Sequence, residues 1–121
     1  MHLLALIPRW LWRLAFVICL ISVLVLSLLN EPDPRLSTGW DKGNHVLAFC
    51  VLTLLGRWSF PQQALLLAVG LCAYGVGIEI LQALSGYRFA EYADLIADGL
   101  GIALGFGLFA SASWAQRRIA A

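Results

Sequence analysis

Glu79-Ile-Leu-Gln-Ala-Leu-Ser-Gly-Tyr-Arg-Phe-Ala-Glu-Tyr-Ala-Asp-Leu-Ile-Ala-Asp-Gly-Leu-Gly-Ile-Ala-Leu-Gly105 decides how the rest of the chain is read. Glu79, Arg88, Glu91, Asp94 and Asp98 crowd here between two apolar runs, and Glu79 and Asp98 fall inside the runs rather than beside them. An ionisable group in hydrocarbon is expensive, so it faces a protein interior or a wet cavity and often marks function. The stretch therefore predicts two apolar helices joined by a polar loop, with acids turned inward near one end.

The wider composition agrees. Hydrophobic residues make up 61% of the 121-residue chain and charged residues 12%, about half the roughly 25% usual in soluble domains; the mean hydropathy is +0.84. This implies an all-α integral membrane protein. Four apolar segments fit the length, each near the ~17–25 residues that cross a bilayer. They are expected at about 10–29, 43–58, 63–84 and 93–114, in one domain spanning 1–121. No basic tract or aromatic RNA-binding motif is present, which argues against a nucleic-acid partner. Cys19, Cys50 and Cys72 fall in three different apolar runs without CxxC spacing. They read as small buried hydrophobes rather than a disulfide framework or metal site.

At the N-terminal end, Arg9 and Arg13 flank Trp10-Leu-Trp12 ahead of an uncharged run from Leu14 to Leu29. The run is long for a signal peptide and no A-x-A site precedes Asn30, so it is expected to be an uncleaved first span with interfacial tryptophans. Pro32 and Pro34 mark the first loop. Asp41 opens the second helix, which ends near Trp58 with Arg57 snorkelling at its far end. Pro61 is placed at the turn into the third helix.

The N-terminus, the second loop and the C-terminus carry Arg9, Arg13, Arg57, Arg117 and Arg118 and no acid, net +5. The other loops and helix ends carry Glu31, Asp33, Arg35, Asp41, Lys42, Glu79, Arg88, Glu91, Asp94 and Asp98, net −4. By the positive-inside rule both termini are expected on the cytoplasmic side of the plasma membrane, with the polar site facing outward.

Three pieces converge on that outer face: Asp41-Lys42-x-x-His45, Glu79-x-x-Gln82 and Asp94-x-x-x-Asp98. At ~1.5 Å rise per residue, His45 lies ~6 Å, Glu79 ~7.5 Å and Asp98 ~9 Å below their helix ends, so the groups can meet in a shallow pocket. Ala68, Cys72, Gly75, Glu79 and Gln82 recur at steps of three and four on one face, and Asp94, Asp98, Gly101 and Gly105 do so on the next helix. Gly101-x-x-x-Gly105 is a small-residue pattern that permits close helix packing.

Plainer explanations exist for most of these groups. Asp41 can cap its helix and Asp94 can complement a helix dipole. Lys42 and Arg88 can be interfacial anchors, and His45 a satisfied interior histidine. Glu79 and Asp98 lie too deep for capping; for them the plain alternative is a polar network that locks the bundle. Five acids (Asp41, Glu79, Glu91, Asp94, Asp98) face two bases (Lys42, Arg88), an excess of three negative charges. Either some carboxyls are protonated or a cation completes the balance.

The ordered set Asp41-Lys42-x-x-His45-x-x-x-Phe49, Glu79-x-x-Gln82, Arg88 and Asp94-Leu-x-Ala-x-Gly-x-Gly101-x-x-x-Gly105 resembles the VanZ-like family of bacterial membrane proteins over about residues 40–107. That family takes its name from a protein conferring low-level resistance to the glycopeptide teicoplanin, so the resemblance implies a cell-envelope context rather than a reaction. Two positions depart from its pattern: Asp98, where Asn is usual, and Val46, where an aromatic is common.

The leading expectation is an envelope protein whose outward pocket binds a lipid-linked or cationic envelope component through Asp41, Lys42, His45, Glu79, Gln82, Arg88, Asp94 and Asp98. The alternative is a membrane-embedded, metal-dependent hydrolase or transferase acting on a lipid-linked headgroup. There His45 is base or ligand, Glu79, Asp94 and Asp98 hold a divalent cation, and Arg88 holds a phosphate. A third is a purely structural bundle or subunit. The charges stay near one face and leave the bundle's inner half apolar, which argues against a transporter.

Overall fold

The computed structural model describes residues 2–29, 41–85 and 92–120, all of it helix, turn or short connection. The helices are α1 (His2–Ala5), α2 (Arg9–Leu28), α3 (Asp41–Ser59), α4 (Ala64–Ser85) and α5 (Tyr92–Ala120). The long four match the expected segments, with differences at the ends. Short α1 was not expected; it stops before Pro8, whose extended backbone (φ −65, ψ 150) starts α2. The last helix runs on past Trp114 to Ala120. Arg117 and Arg118 are good helix formers and complement the negative end of the helix dipole, so they prolong the helix instead of ending it.

α2, α4 and α5 (to Ile119) are long and apolar enough to cross a membrane. α3 is not among them because Asp41, Lys42, Asn44, His45 and Arg57 lower its hydropathy. It is nevertheless packed on several sides: Phe49, Leu52, Thr53 and Ser59 are fully buried, and α3 touches α2, α4 and α5. The pairs α2·α3, α3·α5, α5·α4 and α4·α2 close a ring, with α3·α4 as the diagonal.

Directions follow from the contacts. Trp12 stacks on Trp58 with ring centroids 4.9 Å apart, and Arg13 Nε donates to the Ser59 carbonyl at 3.2 Å. The start of α2 thus meets the end of α3, and the two are antiparallel. Tyr74 donates to the Leu20 carbonyl and Gln82 Nε2 to the Ser27 carbonyl at 2.8 Å, so α2 and α4 run parallel.

α3 and α5 also run parallel, over the most extensive interface in the bundle. Lys42 meets Asp94, His45 meets Asp98, and Arg57 lies over Phe109 at 4.6 Å. Small residues make this approach possible. A Cβ on Gly101 would strike the Val46 carbonyl oxygen, and one on Gly105 would lie 2.6 Å from Thr53 Cβ. Lipid offers little hydrophobic drive for helix association, so such close van der Waals packing carries much of the bundle's stability.

The outward faces remain apolar. Ile96, Leu100, Leu104 and Leu108 on α5 and Leu65, Leu66, Val69, Val76, Ile80 and Leu84 on α4 are exposed, as expected for surfaces that meet hydrocarbon. α2 has no buried residue. Cys72 also faces outward and Cys19 is half-buried, so the expectation of three buried cysteines holds for Cys50 alone. The inward face of α4 is correspondingly shifted from the one expected. It consists of Leu67, Leu71, Gly75, Ile78, Glu79 and Gln82, because Cys72 rotates to the outer side while Leu71 takes the core position.

Candidate functional site

The constellation sits where the first turns of α3 and α5 meet the last turns of α4. Burial there is nearly complete: His45 is 9% exposed, Glu79 5%, Asp94 4% and Asp98 3%. Four ionisable side chains this deep need one another or a ligand, since an isolated buried charge is strongly unfavourable.

The parallel register of α3 and α5 creates the contacts. Lys42 and His45 are three residues apart on α3, and Asp94 and Asp98 four apart on α5, so each pair shares a helix face. Lys42 Nζ donates to Asp94 Oδ1. His45 Nδ1 lies 2.7 Å from Asp98 Oδ1, while His45 Nε2 is 3.8 Å from Asp94 Oδ2, beyond hydrogen-bond reach. An ionised carboxylate only accepts, so with Asp98 ionised the short contact holds the proton on Nδ1. In the neutral imidazole with that proton, Nε2 is the acceptor and metal-ligating nitrogen.

α4 supplies the third wall. Ligand atoms of His45, Glu79 and Asp94 all lie within 4.8 Å of one another. One turn further into the bundle, Gly75 makes room for Asp98: a Cβ there would stand 2.8 Å from Asp98 Oδ2 and 3.4 Å from Phe49 Cζ. Asp98 Oδ2 is buried without a hydrogen-bond partner. The described side chains Glu79, Asp94 and Asp98 against Lys42 carry an excess of two negative charges with His45 neutral.

Of the eight residues expected at the site, Lys42, His45, Glu79, Asp94 and Asp98 come together. Gln82 is 1% exposed and lies on the same face of α4 as Glu79, but its amide nitrogen is used on the Ser27 carbonyl of α2. It ties α4 to α2. Arg88 and Glu91 lie outside the described residues, as does the side chain of Asp41, which begins α3. The role of Gly75 was not singled out in the sequence reading; the signal was its position four residues before Glu79.

The opposite end of the bundle differs in chemistry. Arg57 lies over Phe109 and donates to the Pro61 carbonyl at 3.1 Å, and Arg13 lies over Phe60 at 5.0 Å. Arg57 is thus held by aromatic faces and a carbonyl. Nearby, an apolar cavity of ≈ 320 Å³ opens between α2 and α4, lined by Phe16, Leu20, Phe60 and Leu67 among others. None of the eight expected site residues lines it.

Neither the curated proteins nor the solved structures gave a match. The VanZ/LLP1 family profile matches residues 14–114, which takes in α3, α4, most of α2 and most of α5. With that match over most of its length, the chain belongs to the VanZ/LLP1 family.

Proposed function

We propose that this protein is a multi-pass protein of the bacterial plasma membrane whose polar site faces outward and binds a component of the cell envelope. In this reading all four long helices cross the bilayer. α3 has 19 residues, ~28 Å of helix, close to the ~30 Å hydrocarbon thickness. Its polar first turn lies against α5 rather than lipid. An even number of crossings puts both termini on one side, and the arginines favour the cytoplasm.

The observation that carries the proposal is the buried network Lys42–Asp94–His45–Asp98 facing Glu79, with negative charge in excess. A bundle stabilised only by packing has no use for so many costly groups at one end. The excess charge suits a ligand that is cationic or arrives with a cation. Family membership adds the envelope context, with glycopeptide (teicoplanin) susceptibility as its phenotype. Asp41 and Arg88 enter this reading from the sequence alone.

The test is glycopeptide susceptibility in cells producing the unaltered chain or Glu79→Gln, together with capture of lipid-linked envelope precursors on the purified proteins. Loss of phenotype and capture at equal protein level is the expected result. A stable Glu79→Gln protein with unchanged phenotype and capture would refute the reading.

One observation favours a second reading, a membrane-embedded hydrolase or transferase acting on a lipid-linked headgroup. Asp98 lies 2.7 Å from His45 Nδ1, a carboxylate–histidine pair of the kind that orients a general base. Turnover of lipid-phosphate substrates by the purified protein, abolished in His45→Gln, would select this reading over simple binding.

A further inference from the structure

We infer that the site takes a divalent metal ion of the zinc or manganese class, ligated by His45 Nε2, Glu79 and Asp94, with Asp98 holding His45 from behind. This deepens the reading above and rests on it only in placing the ion where the envelope component binds.

Three observations converge. First, the three donor atoms lie within 4.8 Å of one another. Donors sharing one ion at ~2.1 Å stand roughly 3.4 Å apart in a tetrahedron, a separation reached by a small swing of two carboxylates. Second, the Nδ1 of His45 is engaged by Asp98 Oδ1 at 2.7 Å. Metal-bound histidines almost always donate their other ring nitrogen in this way, which fixes the tautomer and raises ligand basicity. Third, Asp98 is 3% exposed and its Oδ2 has no hydrogen-bond partner. Among the described residues its hydrogen bond is to the imidazole, and a cation on the far ring nitrogen would give that ring positive charge beside the carboxylate.

The donor set selects the ion. One imidazole nitrogen and two carboxylate oxygens suit zinc or manganese; calcium and magnesium prefer oxygen alone. Three protein ligands leave at least one coordination position open, as in sites where a metal meets a ligand from outside. A phosphate-bearing headgroup has the chemistry to fill that position.

The experiment uses the full chain in detergent, stripped with chelator and titrated calorimetrically with zinc or manganese chloride alone. The chain has two histidines, so His2→Ala controls for adventitious binding. The expected result is one ion per chain for the unaltered protein and for His2→Ala, with binding at least 100-fold weaker in Glu79→Gln and His45→Gln. Absence of binding to the folded unaltered protein would overturn the inference. So would binding that survives Glu79→Gln and His45→Gln, or that disappears with His2→Ala. A variant that fails to fold leaves the stoichiometry of the unaltered protein as the deciding measurement. If no ion binds while Glu79→Gln still abolishes envelope-component capture, the inference fails and the functional reading stands. If an ion binds but capture and phenotype are indifferent to Glu79, the functional reading fails instead.

Discussion

Asp98 reaches its position only because residue 75 is glycine: a Cβ on Gly75 would sit 2.8 Å from Asp98 Oδ2. The contact atom belongs to a short, buried side chain already held at its other oxygen by His45, so it cannot swing aside freely. Gly75→Ala is therefore expected to displace Asp98 and weaken its hold on His45. Overpacking of this kind costs ~1–3 kcal/mol. Gly70 and Gly77, on the same helix, have open space where a Cβ would go. Alanine there is expected to be neutral or to stabilise by up to ~1 kcal/mol, since glycine is a poor helix former. Melting temperatures of the three variants in one detergent check this; equal shifts at all three positions would contradict the packing described.

Gly101→Ala makes a harsher demand. The obstacle is the Val46 carbonyl, a backbone group within α3, and relief requires α3 and α5 to move apart. That movement would separate Lys42 from Asp94 and His45 from Asp98 together. The expected outcome is a larger loss of melting temperature than Gly75→Ala gives, with metal affinity falling in parallel. Loss of stability with affinity intact would show that the site does not depend on the α3–α5 approach.

Much of this arrangement was legible in the chain. The apolar runs gave the four long helices to within a few residues, except where the last one continued through Arg117 and Arg118 to Ala120. The inward direction of Glu79, Asp94 and Asp98 was legible from their depth and helical spacing. The pairing of helices was not. Gly101 and Gly105 announce a close neighbour without naming it, and only the fold shows that α3 fills that place, in parallel. Gln82 shares a helix face with Glu79, yet its amide is spent on α2, because a helix face is wide enough to serve two neighbours. The side of Cys72 was misjudged because a step of three or four residues from Gly75 fits both Leu71 and Cys72.

Gln82→Leu separates the strap from the site. Gln82 Nε2 donates to the Ser27 carbonyl at 2.8 Å, and loss of one such bond costs about 1 kcal/mol. A modest fall in melting temperature with unchanged metal binding is expected. A fall in metal affinity as large as that of Glu79→Gln would return Gln82 to the ligand set.

Topology can be read by thiol labelling in a background with Cys19, Cys50 and Cys72 replaced by serine. An impermeant reagent applied to intact cells is expected to modify Leu36→Cys, in the acidic first loop, and to spare Gln62→Cys, beside Arg57. The reverse pattern would place the polar site in the cytoplasm and remove the envelope component as its ligand.

Asp98→Asn distinguishes a site built for an outside cation from one that supplies its own. Suppose His45 is neutral, with its proton on Nδ1. An asparagine then keeps the shape and still accepts that proton's hydrogen bond through its carbonyl oxygen. The substitution also removes a buried carboxylate oxygen that has no hydrogen-bond partner, which relieves a desolvation penalty. Melting temperature is then expected to hold or rise. Zinc affinity is expected to fall about 10–100-fold, the usual effect of losing a partner behind a ligating histidine. Suppose instead that His45 is an imidazolium shared between Asp98 and Asp94, 2.7 Å and 3.8 Å from its two nitrogens. The imidazolium is then the cation, and removing one partner breaks a buried ion pair at a cost of ~3–5 kcal/mol. A large drop in stability, with no metal bound by the unaltered protein, would make the cluster an internal lock. Preserved stability with weakened metal binding makes it a receptor for an ion from outside.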